Sequence, residues 1–566
     1  MEFNQIDLSL ILEPNWNKPV KEYDRALDPL GMNRVNDRMI GELVQGFTAL
    51  TSRVRYYSFY VWAIEQIRKN KLAKNFTEFK NAFYDLERLY MLASISHEEL
   101  QPTDNHNDIN GSATGRNMWN NNSSTIPLNF TYFGHRLGGY GQYYQGSIVN
   151  LGLVEQNDED EFEKPSETGY LIIKEFDKLA NDSKFLSYYK KSNISKKHLL
   201  EIGEKICLCK IKKQENSERN NLIDLLFGFI GEKNKYSILR QQSLGLILNT
   251  VKQIQNRKAT QSQDFLDAMY FKQIKTEKTI VNISIPKKLE DISKKWKIVK
   301  AHDSYALASE TVLQIFLEFL QNDIIKGKNI EEFYQKAVVN IDKELCEILE
   351  INKKFSKESI QNLVQTILKE NNIHQTSDLI EQSKQYDTTI SMSSKINEQK
   401  IIQNIEELLD LDYSDIPKTM ANSILLVLLT GLRFISIINS DENSIKWLKR
   451  LEKQDTGVLE FTNFVLEQIK QNMSLADFVR NFIEKFVIIQ AESIFKDKIR
   501  SSTNPKCWFH KEGAKYIKDR DYEAKHRSIR FPSAVSLLHD LDLLDSTEEF
   551  VKCTKHTQKI LDNILA

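Results

Sequence analysis

Two short spacings near the end of the chain carry the residue types that hold metals. Cys507-Trp-Phe-His510 and Cys553-Thr-Lys-His556 each set a thiol and an imidazole three positions apart, with His526 and His539 between them. Thiolate and imidazole are the ligands zinc prefers, and four of them close a tetrahedral shell. The ligand order is unusual for a zinc module, and Cys553 and His556 would be i, i+3 neighbours inside a last helix. Small buried hydrophobes are therefore the favoured reading of these cysteines, and no metal is assigned. His302-Asp303, beside Tyr305, has the composition of a general base with its orienting acid. Adjacent helical residues point about 100° apart, so a core histidine is favoured there. Gly111-Ser-Ala-Thr-Gly115-Arg116 offers small residues and a cation to an anion, but it lacks the Lys-Ser/Thr ending of a P-loop and reads as a loop.

The densest cluster lies between Arg53 and Trp62, where two arginines, Arg53 and Arg55, accompany the aromatics Tyr56, Tyr57, Phe59, Tyr60 and Trp62. Arginine forks grip phosphate and rings stack on bases, so Arg53, Arg55, Tyr56, Tyr57 and Trp62 are candidate binding residues. The competing reading is a buried helix laced with cation-π contacts, which a stripe of rings at helical spacing favours. Basic stretches run from Lys190 to Lys213 and through Lys511, Lys515, Lys518, Arg520, Lys525, Arg527 and Arg530. Lys515, Lys518 and Arg520 are the candidates for phosphate contact, although Glu512, Asp519, Asp521 and Glu523 dilute the charge. No residue set reads as catalytic and no cofactor is implied.

The elements that must position these residues are mostly helices. Hydrophobic content of 41% with only 20 Gly and 10 Pro in 566 residues suits long helices with short connections, and the length predicts more than one domain. Lys+Arg 77 against Asp+Glu 78 removes a bulk electrostatic case for nucleic acid or anionic membranes. Five cysteines, an odd number, fit a reducing compartment better than a disulfide framework. The start lacks the pattern of a secretory signal, and Ile424–Arg433 is too short and interrupted for a membrane span, so a cytoplasmic protein with no membrane contact is expected. Lys, Ile and Asn usage suggests a bacterial, AT-rich coding bias.

Thr48, Thr51 and Ser52 supply capping oxygens for a helix reaching about Lys71, and a second helix is predicted from about Leu72 to Leu100. Gln101 to Gly115 reads as a loop. From residue 131 to 180 the order is helix, Leu151-Gly-Leu-Val exit, polar insert and a Ser166-Glu-Thr-Gly169 step into a new helix, which is winged-helix-like. The order recurs in 512–566, with Ser546 and Glu549 at capping-box spacing and Asp542 where a glycine would sit. Thr279 to Pro286 reads as an extended connector, Trp296 to Leu320 as a central core helix, and Asp378 to Gln399 as a linker. The predicted fold class is mainly α and multidomain: 1–185 with the winged-helix-like element, 186–385 central, and 386–566 C-terminal.

Taken together, Asp28-Pro-Leu-Gly31, Arg53-x-Arg55-Tyr-Tyr-Ser-Phe-Tyr-x-Trp62, the Gly141-Gln-Tyr-Tyr-x-Gly146 to Leu151-Gly-Leu run, Trp296-x-x-x-x-Ala-His302 and Arg530-Phe-x-x-Ala-x-x-Leu-Leu-x-Asp-Leu541 resemble a group of uncharacterised bacterial proteins encoded near anti-phage defence genes. The resemblance spans most of the chain and implies a defence role without implying a catalytic residue. The expected function is a non-catalytic scaffold or sensor subunit that contacts protein subunits encoded nearby and, as a further partner, DNA. The alternative is a metal-dependent nuclease or hydrolase built from the C-terminal His, Cys and Asp residues.

Overall fold

The computed structural model describes residues 28–546 and 551–566, apart from 136, 156–161, 214–216, 255–261, 277–278, 322–326, 352–358, 412–414 and 502–506. Among the described residues it is 67% helical, and the short strands form four pairs and one three-stranded sheet. The mainly α class predicted from composition is what the chain adopts.

The first third is built on α1 (Met32–Leu43), α2 (Arg55–Lys69) and α3 (Phe76–Leu100). Helix α2 is buried on nearly every side, as rings around its whole circumference require. Its N-terminus is not capped by Thr48, Thr51 or Ser52. The Thr51 hydroxyl accepts from the Thr48 amide within the preceding turn, and the Val54 amide donates instead to the carboxylate of Asp540. A residue nearly five hundred positions away thus serves as the cap.

Helix α4 (Ser112–Asn121) starts inside the stretch expected to be loop, because Gly111 takes a left-handed conformation that turns the chain into it. Strand β1 (Thr125–Pro127) follows. Then come α5 (Gln145–Asn150), the hairpin β2 (Val154–Glu155) with β3 (Lys164–Pro165), and α6 (Glu167–Asp182). Gly152 supplies the left-handed turn out of α5, and the Ser166 hydroxyl caps α6 through the Gly169 amide. Strand β4 (Asn193–Ser195) closes antiparallel on β1 and leads into α7 (Lys196–Ile206).

Helix α7 packs along α3, and Gly203 makes that approach possible. A Cβ there would stand inside the radius of the Ala93 carbonyl oxygen. Next are α8 (Ser217–Leu226), α9 (Lys235–Gln253) and α10 (Ser262–Phe271). The segment expected to be extended holds β6 (Ile280–Asn282), paired with β5 (Gln273–Lys275).

The remaining core surrounds α11 (Glu290–Gln321), the predicted central helix. It packs on α14 (Ile416–Ser440), which also meets α12 (Leu379–Thr389), α13 (Glu398–Leu409) and α15 (Val458–Lys470). The expected linker at 378–399 is therefore packed along its length, with α12 in its first half and Ile390, Ile396, Asn397 and Glu398 buried beyond it. Tyr386 is fully buried there, and the Ser383 hydroxyl donates to the Arg433 carbonyl and accepts from the Ser436 amide. Among the described residues α14 is the one helix apolar and long enough to cross a membrane, and 89% of its most apolar 18-residue window is buried inside this fold.

The last segment returns to both regions. Strand β7 (Lys328–Asn329) joins β9 (Lys515–Lys518), which pairs with β8 (Phe509–Glu512) against α11. Helix α16 (Phe531–Asp540), the hairpin β10 (Leu544–Ser546) with β11 (Val551–Cys553), and α17 (Thr557–Leu565) pack onto the early elements, α17 and β11 lying on α9. Ser546 sits in β10, so the last helix begins at Thr557 rather than at the expected capping box, whose Glu549 lies outside the described residues. Asp542 occupies the left-handed conformation that Gly152 holds in the first copy. Both places show the order helix, left-handed residue, hairpin, helix.

Candidate metal centre

The Arg-x-Arg pair that opens α2 is fully buried and holds two loops. Arg55 grips Glu218 on α8 with both carboxylate oxygens, Nε to Oε1 at 3.2 Å and Nη2 to Oε2 at 2.9 Å. Its remaining fork donates to the Cys207 carbonyl at 2.8 Å. Arg53 donates to Asp540 at 3.0 Å through Nε, and its Nη1 reaches the carbonyls of Asn105, at 3.0 Å, and Asn107, at 2.7 Å. Both guanidinium groups are held above the ordinary arginine range. Burial opposes this, and the charges of Asp540 and Glu218 overcome it.

Those two loops deliver four ligand atoms to one point. His97 comes from the last turn of α3, His106 from the loop that Arg53 holds, and Cys207 and Cys209 from the turn after α7 that Arg55 holds. The four donor atoms lie within 4.8 Å of one another, and all four residues are buried. His97 Nδ1 is 3.3 Å from His106 Nε2 and 3.3 Å from Cys209 Sγ, and the two sulfurs are 3.4 Å apart as free thiols.

The outer atoms of both rings are also spoken for. His97 Nε2 meets Glu204 at 3.2 Å, and His106 Nδ1 meets the Asp104 carbonyl at 3.0 Å. Hydrogen bonding to Lys210 first, with His97 adding to it, holds the Glu204 carboxyl below its usual range. Burial raises the Cys207 thiol, but hydrogen bonds involving Cys209, His106 and His97 outweigh it and keep this sulfur well below the ordinary thiol range. Cys209 is pushed above that range, first by the hydrogen bond to Cys207 and then by burial. Two sulfurs and two imidazoles arranged this way form a ligand set for a borderline metal cation.

The residues singled out in the sequence are placed as follows. Tyr56, Tyr57 and Trp62 are buried with their polar atoms engaged. The Tyr56 hydroxyl accepts from the Asn110 amide, Tyr57 donates to the Gly46 carbonyl, and Trp62 donates to Asp177. The cation-π expectation holds for Arg55, which lies over the Phe176 ring at 5.5 Å. Arg116 pairs with Glu98 and also reaches the His106 carbonyl, so the candidate anion loop supports the His106 segment. Lys515 and Arg520 are exposed, whereas Lys518 is mostly buried, paired with Asp521 and Gln321.

The C-terminal thiols and imidazoles stand on different hairpins. Cys507 donates to the Phe509 carbonyl and His510 on β8 pairs with Asp519, while Cys553 on β11 donates to the Leu248 carbonyl and His556 lies 3.4 Å from Asp542. His302 is a core histidine, its Nε2 on the Met32 carbonyl at 2.9 Å, with burial lowering it to about 4. Asp303 does not orient it. That carboxylate accepts from His526 and from the Arg527 amide.

No protein-family model, curated protein or solved structure matches this chain. Sequence reading missed the converging ligands, and its only available signals were the Cys207-Leu-Cys209 spacing and the nine-residue separation of His97 and His106.

Proposed function

We propose that this chain is a non-catalytic scaffold or sensor subunit of a bacterial anti-phage defence complex that docks a protein encoded nearby. The observation that carries the scaffold reading is how its buried charges are placed. Arg53 with Asp540, Arg55 with Glu218, Arg433 with Glu398, and Arg527 with Glu310 each join segments far apart in sequence. Unpaired buried charges are costly, so each pair makes the packing of its two segments conditional on the other. Such a body presents fixed surfaces to a partner. The defence assignment rests on the motif resemblance.

The docking element in this proposal is the helix, hairpin and helix of α5 to α6. Val149, Tyr170 and Leu171 there are about half exposed, although large apolar side chains usually turn inward. The test is co-purification of the tagged chain with the products of its neighbouring genes, alongside a phage challenge. A Tyr170→Asp, Leu171→Asp double variant should lose the partner and the protection while unfolding at the same temperature. A chain that purifies alone, or that turns over a substrate unaided, would sink this reading. DNA contact through the exposed Lys515 and Arg520 is the competing outcome, and it would show as affinity that falls steeply with salt.

A further inference from the structure

We infer that the chain binds one zinc ion through His97 Nδ1, His106 Nε2, Cys207 Sγ and Cys209 Sγ, and that Arg53 and Arg55 are the positioning residues of that site. The spacing of the ligand atoms fits. Zinc–nitrogen bonds of about 2.0–2.1 Å and zinc–sulfur bonds of about 2.3 Å span a tetrahedron with edges of roughly 3.3–3.8 Å. The three contacts within the set, at 3.3, 3.3 and 3.4 Å, stand at the short end of that range.

The ring tautomers point the same way. A carbonyl oxygen and an ionised carboxylate can only accept, so as the neutral rings that bind a metal His106 carries its hydrogen on Nδ1 and His97 on Nε2. Both lone pairs then face inward, side by side. Outer hydrogen bonds of this kind orient metal-binding histidines. A divalent cation would satisfy both lone pairs at once.

Charge balance supports the same ligand class. Zinc takes both sulfurs as thiolates, any thiol proton still present leaving to solvent as its zinc–sulfur bond forms, and the two thiolates neutralise a divalent ion. The resulting site carries no net charge, which suits a place where His97 and Cys207 are 0% exposed, His106 4% and Cys209 5%. Four protein ligands fill the shell, which makes the site structural and leaves no position for a substrate. The ion would fasten the end of α3, the 101–111 loop and the turn after α7 together.

The arginines act one step out. Arg53 holds the carbonyls on either side of His106, and Arg55 holds the carbonyl of Cys207 itself. Their carboxylate partners, Asp540 and Glu218, tie the ligand loops to α16 and α8. The motif that dominates the sequence is thus the support of a site that the sequence hides. This inference stands whether or not the chain serves in defence.

Elemental analysis of the full chain, purified without chelator, should find one zinc per molecule. Cobalt(II) exchanged into it should show the visible d–d bands and thiolate charge-transfer band of a tetrahedral S₂N₂ centre. Cys209→Ser and His106→Ala should lose the metal, and Cys507→Ser and Cys553→Ser should keep it. Arg53→Lys and Arg55→Lys should weaken metal affinity by about 10–100-fold and shift the cobalt bands, the effect expected of outer partners. If the ligand variants fail to fold, thiol reactivity of the native chain decides, with two thiols protected until a chelator is added. Folded wild-type chain without metal, a Cys207–Cys209 disulfide under reducing conditions, or metal lost only from the Cys507 or Cys553 variants would each overturn the inference. Lysine variants with unchanged metal affinity and cobalt bands would overturn the positioning role.

Discussion

Arg55 and Arg433 make the same grip in two regions and serve different ends. Arg433 holds Glu398 through Nε at 2.7 Å and Nη2 at 3.0 Å, as Arg55 holds Glu218, and all four side chains are buried. Around Arg433 the spare donor goes to Asp387, rings of Tyr270, Phe271 and Tyr386 stack at 4.7–5.2 Å, and Lys297 shares Asp387 at the edge of a cavity of about 520 Å³. Around Arg55 the spare donor goes to the backbone of a ligand residue. One region uses a buried arginine to close a core, and the other extends the same device to aim a loop.

The sharpest way to break that contrast is to remove each arginine. Arg433→Ala and Arg55→Ala should each cost about 3–5 kcal/mol, because each strands a buried glutamate. Urea midpoints of the two variants measure this, and a loss below 1 kcal/mol for either would show that the carboxylate finds another partner. Metal content of the folded fraction should fall for Arg55→Ala and hold for Arg433→Ala. Equal metal content would erase the distinction between the regions.

A smaller effect separates the two helix contacts. At Gly203 an added Cβ would stand 2.3 Å from the Ala93 carbonyl oxygen, whereas at Gly431 it would stand 2.7–2.8 Å from the side-chain carbons of Val465. Gly203→Ala should destabilise by roughly 1–3 kcal/mol, the usual range for overpacking, and Gly431→Ala by less. Thermal melts that reverse this order would show that α3 and α7 have room to part.

The pH response should differ in sign of origin. In the N-terminal region burial lifts the Glu87 carboxyl to about 7, against hydrogen bonds from Tyr132, Tyr60 and the Gly139 amide. The native state keeps a proton that the unfolded chain gives up near 4.5, so stability falls as pH rises from about 4.5 to about 7. Glu87→Gln should flatten that slope. Near α11, His526 rises to about 9: burial opposes the shift, and the charge and hydrogen bond of Asp303, with Glu406, overcome it. Its contribution is present below the free value of 6.5 and fades as pH climbs through about 9, and His526→Asn should remove that limb. Denaturation midpoints across pH distinguish the two.

Smallest of all, Lys515→Ala with Arg520→Ala should change stability by no more than about 0.5 kcal/mol, since both are exposed. A larger loss would place them among the structural charges.

Much of the fold was legible because it is written locally. Rings on every side of Arg55–Lys69 predicted a buried helix, and Gly152 with Ser166 predicted the turn and the restart at α6. The 378–399 stretch misled because it has few large side chains, so low apolar content looked like a linker, yet one of them, Tyr386, is fully buried with the Arg433 guanidinium 5.2 Å from its ring. The capping of α2 misled because three local hydroxyls stood ready, yet a carboxylate from α16 brought both an acceptor and a charge for Arg53.

By itself the sequence determined that the chain is helical, that α2 is its densest element, and that Arg53 and Arg55 are unusual. Periodicity and turn chemistry act within a few residues, so they carry that much. Only the tertiary structure decided what the arginines hold and which cysteines meet which histidines. His97 and His106 lie about a hundred residues from Cys207 and Cys209, and they converge because α7 packs closely on α3 across Gly203. Ligand geometry is a property of that packing, and no local rule encodes it.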